Sequence, residues 1–237
     1  MTREQEPTQD AAPAETETDQ QQAEVTESWA PILMAGAVLL GIGFFIFCGV
    51  STWWLFQKRG ELAVRTLEQT FVPEVEQSMI APEDKAKIVK RLTAFAADIK
   101  RGKVENWQAG GVMQRLVRLP ILQWGELAVL EDFLQNQGTD TALDSAMQIS
   151  RFRRAVELDK ATAVDAEDIL NPVVVADDSV LGRRLVDKLT LEDVSEVAKR
   201  AKLVADRSDV PAKQFGDISL DDLVRRQVES GMQKGAM

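Results

Sequence analysis

One stretch of this chain, residues 30–56, constrains the fold more than any other, because it contains no charged residue and no Asn or Gln. As a helix rising about 1.5 Å per residue it would measure roughly 40 Å, which exceeds the roughly 30 Å hydrocarbon core of a bilayer. Trp29 stands at one end and Trp53 and Trp54 near the other, and indole rings prefer the membrane–water interface. The sequence therefore predicts a single transmembrane helix over residues 29–57, with the lipid bilayer as its partner.

The alternative for this stretch is a buried core helix, but core helices seldom stay apolar on all sides over such a length. Within the span, the small residues Ala37, Gly41 and Gly49 share one face with Phe45. Small residues at this spacing let two membrane helices approach closely, so this face is a candidate for homo-oligomer formation. Gly and Ala are also common in any membrane helix, which leaves plain contact with lipid as the alternative.

Charges on either side of the span predict its orientation. Residues 1–28 hold eight acids and a single base, Arg3, whereas Lys58 and Arg59 directly follow the span. Basic residues stay on the cytoplasmic side and favour anionic headgroups. We therefore expect a single-pass protein with its N-terminus outside and its C-terminal portion in the cytoplasm. Residues 1–28 should be disordered, since they contain too little apolar surface to offset their ordering entropy.

After the span, apolar residues recur with helical spacing and predict an all-α fold. We expect a juxtamembrane helical connector at 58–80, a soluble multi-helix domain at 81–230 and a flexible C-terminus at 231–237. The clearest apolar stripes are Ile88, Leu92, Phe95 and Ile99; Trp124, Leu127, Leu130 and Leu134; Val194, Val197, Ala201 and Val204.

Proline and glycine predict several helix ends. Pro73 should kink or end the helix that contains it. Gly110-Gly111 should form a turn, and Gly138 should close a helix. Residues 172–176 resemble a strand, but no second run of this kind could pair with it, so we expect an extended connector.

Hydroxyl residues predict helix N-caps at three places. Thr190 and Ser219 each precede an acid by three residues, which approximates a capping box. Asp140 or Thr141 should cap the helix that buries Leu143.

The composition excludes several chemistries. The chain has no His and no Tyr, and its one cysteine, Cys48, lies within the apolar stretch. A Ser-His-Asp triad, a Cys-His pair and a zinc site with His ligands are therefore impossible within this chain. No phosphate-binding glycine-lysine motif occurs either. We expect no catalytic residue, no cofactor and no metal ion.

Two kinds of charged cluster have alternative interpretations. The acid pairs could hold a cation or act as general acid and base, but they lie near predicted helix starts or on polar faces, where helix-dipole and capping effects explain them. The basic clusters could bind phosphate, yet neighbouring acids favour solvated helix faces, so we expect no nucleic-acid partner. The acid pairs are Glu167-Asp168, Asp177-Asp178, Glu192-Asp193 and Asp221-Asp222, and the basic clusters are Arg151/Arg153/Arg154, Arg183/Arg184 and Lys199/Arg200/Lys202.

These features together favour a membrane-anchored interaction or scaffold protein, or an accessory subunit of a membrane assembly, without catalysis of its own. Its protein partner is not identified by the sequence. Trp107 and Trp124 mark the surfaces to test first, although packing in the core is the favoured role for both residues. One alternative is a carboxylate-dependent hydrolase, which requires a pocket holding two acids with raised pKa values. The other alternative reverses the topology and makes the helical domain bind components of the cell envelope.

Overall fold

The computed structural model describes residues 30–235, with the side chains of 30–32 and 55–57 left aside. The acidic segment 1–28, Trp29 and residues 236–237 lie outside the described residues. Two compact units, divided after Gly49, make up the chain. The fold is all-α with an N-terminal candidate membrane helix.

Helix α1 runs over Ala30–Gln57 and is apolar on every side. Its segment Leu33–Trp54 has a mean hydropathy of 2.4, and none of that segment is buried within the protein. A helix of this length and composition is sufficient to cross a membrane.

The helices that follow are α2 (Arg59–Thr66), α3 (Val72–Gln77), α4 (Pro82–Lys100), α5 (Asn106–Arg118), α6 (Ile121–Gln137) and α7 (Asp140–Glu157). They continue with α8 (Ala163–Leu170), α9 (Leu191–Arg207) and α10 (Leu220–Lys234). In one group α2, α4, α5 and α10 contact one another, and in another α7 lies against α6 and α9. The three predicted apolar stripes face one continuous core, with Ile99 at its half-buried edge.

Residues 58–80, the predicted connector, are packed into the same core. Leu67 and Val75 are fully buried there, and the Gly60 amide donates to the Asn106 side chain at 3.2 Å. Pro73 does not end the helical path: a π-helical turn at Leu67–Phe71 precedes it, and α3 continues to Gln77. Proline has no N–H to donate to a carbonyl of the preceding turn, and the wider π-helical turn accommodates the missing hydrogen bond.

The predicted turn at Gly110-Gly111 is wrong, because both residues lie within α5. Gly111 allows close packing against α10 and the residue after it, whereas a Cβ on Gly110 would make only ordinary contact with Arg59. A Cβ on Gly111 would lie 2.3 Å from the Gly235 carbonyl carbon, and one on Gly231 would lie 2.6 Å from Val112 Cα. Helix α10 therefore continues in packed form beyond position 231, where the sequence predicts a flexible end.

The predicted unpaired connector at 172–176 is also wrong. Strand β1 (Val174–Ala176) pairs antiparallel with β2 (Arg183–Leu185), with Val174 opposite Leu185. Gly182, at φ +66°, closes the turn between them. The second strand reads Arg-Arg-Leu, which carries no alternating apolar pattern to predict it.

Three of the predicted helix ends are confirmed. Gly138 ends α6 in the left-handed conformation. The hydroxyls of Thr190 and Ser219 accept from the amides of Asp193 and Asp222 at 3.2 and 3.4 Å. The cap of α7, however, is Thr139, whose hydroxyl accepts from the Ala142 amide at 3.3 Å. Gly138 fixes where the new helix begins, so Thr139 takes the N-cap and the predicted Asp140 and Thr141 lie inside the helix.

Candidate functional site

The predicted packing face of α1 is open within the described chain. A Cβ added to Gly41 or Gly49 would meet no atom within 4 Å, and Ala37 is exposed. Around it, bulky side chains such as Leu40 and Phe45 are 77% and 78% exposed. The face is therefore available to lipid or to another helix.

The predicted interface anchors lie at the end of α1 and just after it. Trp53 and Trp54 are 63% and 57% exposed. The Lys58 ammonium donates to Glu61 at 2.5 Å, which lowers the pKa of that carboxyl. Arg59 lies against α5, with its Cδ 3.7 Å from where a Cβ on Gly110 would be. Trp29, the remaining predicted anchor, lies outside the described residues.

The predicted acid pairs serve caps and ion pairs. Asp193 accepts from the Thr190 hydroxyl at 2.6 Å, and Asp221 pairs with Arg91 at 2.9 Å. Asp177 pairs with Arg184 at 3.1 Å. Among the residues that the structure describes, no group of three or more acids and cysteines is arranged to hold a metal ion.

Two members of the basic clusters are buried, which corrects the prediction of solvated helix faces. Arg151 is 3% exposed and joins α7 to the segment after α9. Its guanidinium donates to the carbonyls of Pro211 at 3.0 Å and Val210 at 2.5 Å, and it pairs with Asp206 at 2.6 Å. These bonds satisfy the guanidinium in place of water and anchor the loop between α9 and α10.

The second buried arginine, Arg153, lies at the centre of a polar site between α6 and α7. Its guanidinium pairs with Glu131 at 3.0 Å, donates to the Trp124 carbonyl at 3.2 Å and stacks 4.9 Å from the centre of the Trp124 indole ring. Asp217 approaches it at 3.7 Å from the loop. We call Trp124, Glu131, Arg153 and Asp217 the Arg153 site.

Electrostatics at the Arg153 site favour a neutral Glu131. Burial raises the pKa of Glu131 to about 7, against the opposing attraction of Arg153 and with added repulsion from Asp217 and Asp132. The cavity beside it measures about 280 Å³ and is also lined by Ser150, Gln135 and Phe215. A carboxyl that titrates near neutrality in a cavity is a group able to exchange a proton.

A second buried acid lies on the same helix, in another cavity. Burial raises the pKa of Glu126, although Arg183 of the hairpin pairs with it and opposes the shift. Gln123 and Glu167 line this cavity, and Gln123 donates to Glu167 at 3.3 Å. Glu126 and Glu131, the two acids of α6 with raised pKa values, therefore do not share one pocket, whereas the hydrolase alternative requires two such acids in one pocket.

Sequence reasoning missed both acids because they fall within the apolar run of α6. The only available signal was their position: two carboxylates inside an otherwise buried stripe need cationic partners. The arginines that supply them come from α7 and β2. Trp124 proves to be buried, whereas Trp107 is 39% exposed.

The fold and its sites define a class: an all-α protein with an N-terminal helix long and apolar enough to span a membrane. Comparisons with protein-family models, curated proteins and solved structures found no match.

Proposed function

We propose that this chain is a single-pass membrane protein whose helical domain acts as a scaffold or accessory subunit in a membrane assembly, without catalysis of its own. The observation that supports anchoring is the uncovered apolar surface of α1, none of which is buried over Leu33–Trp54. Water-soluble monomers rarely expose contiguous apolar patches beyond a few hundred Å². A bilayer would cover this surface on all sides.

The proposed orientation places the helical domain in the cytoplasm. Three basic residues follow the proposed span closely, namely Lys58, Arg59 and Arg65, whereas the acidic segment before it contains a single basic residue, Arg3. The positive-inside rule supports this arrangement.

Extraction and labelling test both parts of this proposal. Alkaline carbonate should leave the chain in the membrane pellet, and detergent should release it. For topology, a Cys48→Ala background receives either Ser179→Cys, in the exposed hairpin loop, or Thr8→Cys, in the acidic segment. With a membrane-impermeant maleimide, Thr8→Cys should label in intact cells and Ser179→Cys only after permeabilisation. The reverse pattern would overturn the orientation and favour the envelope-binding alternative, and release by carbonate would overturn anchoring.

A groove between α4 and α10 supports the interaction role. Its floor is apolar and two lysines stand at its rim. Lys87 lies 3.9 Å from Asp84, and the other charges there, Arg91 and Asp98, are paired with Asp221 and Arg101. The apolar floor and the basic rim match an amphipathic segment with acidic flanks. The floor residues are Phe95, Val104, Val228 and Met232, and the rim lysines are Lys87 and Lys90.

Site-specific photo-crosslinking tests this surface. A photoreactive residue at Ala94 faces the groove, and one at Ala86 on the same helix serves as the control outside it. We expect a crosslink at position 94 alone, to a segment that mass spectrometry identifies as apolar and acidic, and its loss in Lys87→Glu/Lys90→Glu. A crosslink that tolerates charge reversal, or equal crosslinking at both positions, would contradict the proposed partner chemistry.

A further inference from the structure

Arg115 is a buried cation whose charge is not neutralised by an acid. It lies in the last turn of α5 and is 6% exposed, and its Nε is buried without a hydrogen-bond acceptor. Across the described residues, the ion pairs include Arg151, Arg153 and Arg183 but not Arg115. Burying an unpaired charge is strongly unfavourable, so a buried group of this kind calls for an external partner.

Arg115 belongs to the lining of a small cavity that is partly open to solvent. Arg115 and Arg118 line it from α5, Thr162 lines it from the start of α8, and Asp159 and Gln227 complete it. Its volume of about 20 Å³ is room for one water molecule or one ligand oxygen. Arg118 is exposed, so its side chain can cover a larger group at the opening.

Two helix ends also contribute to the potential in this cavity. The N-terminal end of α8 adds partial positive charge. Its capping box engages the backbone amides of Thr162 and Asp165, and the amides of Ala163 and Val164 are not part of that box. The C-terminal end of α5 adds partial negative charge, which offsets only part of two arginine charges. Asp159 is the one acid in the lining, and Gln227 donates to it at 2.6 Å.

We propose that this cavity is a binding site for a small oxyanion such as inorganic phosphate. One oxygen enters the cavity and accepts from Arg115, while the remaining oxygens stay at the opening beside Arg118. Hydrogen bonds from a guanidinium to an oxyanion oxygen are charge-assisted and therefore stronger than bonds between neutral groups. The inference is independent of the proposed scaffold function.

Phosphate titration of the full-length protein in nonionic detergent tests the site, with ionic strength held constant by sodium chloride. The readouts are calorimetry and the NMR signals of the arginine Nε–Hε groups. We expect saturable binding that moves one buried arginine signal, and a loss of affinity of at least about tenfold in Arg118→Gln, since one charge-assisted bond is removed.

The variants separate a specific site from general charge effects. Arg118→Gln changes an exposed residue and leaves the core intact. Arg101→Gln is its match, since Arg101 is exposed directly after α4 and lies outside the cavity lining. Arg101→Gln should bind phosphate as the unaltered chain does. Arg115→Met, where it folds, should abolish binding. Equal affinity in Arg118→Gln and Arg101→Gln, or a response that never saturates, would overturn the proposal and leave a cavity filled by water.

Discussion

The Arg153 site predicts that the helical domain loses stability as pH rises through neutrality. The perturbation is the removal of one titrating group by Glu131→Gln, which keeps a side chain of similar size and an oxygen for Arg153. Glu131 has a side chain only 12% exposed, and its partner Arg153 only 8%. Because both groups are removed from water, the ionised carboxylate loses more hydration than Arg153 returns.

The sign follows from the direction of the shift. Folding raises the pKa of Glu131 from 4.5 to about 7, so between these values the folded chain holds a proton that the unfolded chain has released. The stabilisation that protonated Glu131 contributes to the folded state is complete below pH about 4.5 and is lost as pH rises through about 7. The difference corresponds to about 3 kcal/mol in the free energy of unfolding. Burial raises the pKa of Glu126 and Glu74 as well, so their ionisation also lowers the free energy of unfolding as pH rises.

The assay is urea unfolding of the full-length chain in nonionic detergent, at a series of pH values from about 5 to 8, followed by circular dichroism and tryptophan fluorescence. Trp124 stacks on Arg153 and reports the site directly. The Glu131→Gln variant should lose most of the decrease in unfolding free energy that the unaltered chain shows with rising pH. Glu83→Gln, the same change at an exposed acid of α4 that does not contribute to the Glu131 shift, is the matched control and should keep the decrease.

Two outcomes would refute this reasoning. One is a stability that rises with pH over this range in the unaltered chain, since that requires a lowered pKa at the carboxyls that dominate. The other is the same pH slope in Glu131→Gln as in the unaltered chain, which would assign the titration to other groups.

Three further changes test the packing by the same unfolding assay. Gly111→Ala should cost about 2 kcal/mol or more, because its Cβ would overlap the backbone of Gly235. Gly110→Ala should be neutral or slightly stabilising, since the nearest contact of its Cβ would be Arg59 Cδ at 3.7 Å. Equal costs for the two variants would contradict the close α5–α10 packing. Phe152→Ala should cost about 3–5 kcal/mol for a fully buried ring, and Leu143→Ala, at a position 50% exposed, under about 0.5 kcal/mol; a large loss at Leu143 would show that something covers it. Thr190→Ala should cost about 1 kcal/mol, because α9 loses its N-cap. Thr93→Ala, on the exposed face of α4, is the control and should not lower the stability. If the two variants have the same stability within error, water replaces the cap.

Local sequence was sufficient for the elements that one segment can specify alone. The long apolar helix α1 follows from residues 30–56, because a helix that is apolar on every side needs no neighbour in the chain to specify it. The stripe of Trp124, Leu127, Leu130 and Leu134 and the caps at Thr190 and Ser219 follow from helical period and hydrogen-bonding capacity within a few residues. The apolar helix, the buried stripe and the two caps are all present in the described part of the chain.

Tertiary structure alone decided the features that depend on distant neighbours. Gly111 looks like a turn residue until α10 lies against it, and residues 174–176 look unpaired until the polar segment 183–185 forms their partner strand. The same holds for the buried charges, since the pKa of Glu131 and the unpaired state of Arg115 depend on which side chains other helices bring near them. Hydrophobic period tells which face of a helix is buried, but the partner that a buried glycine or charge meets is set only when the helices pack.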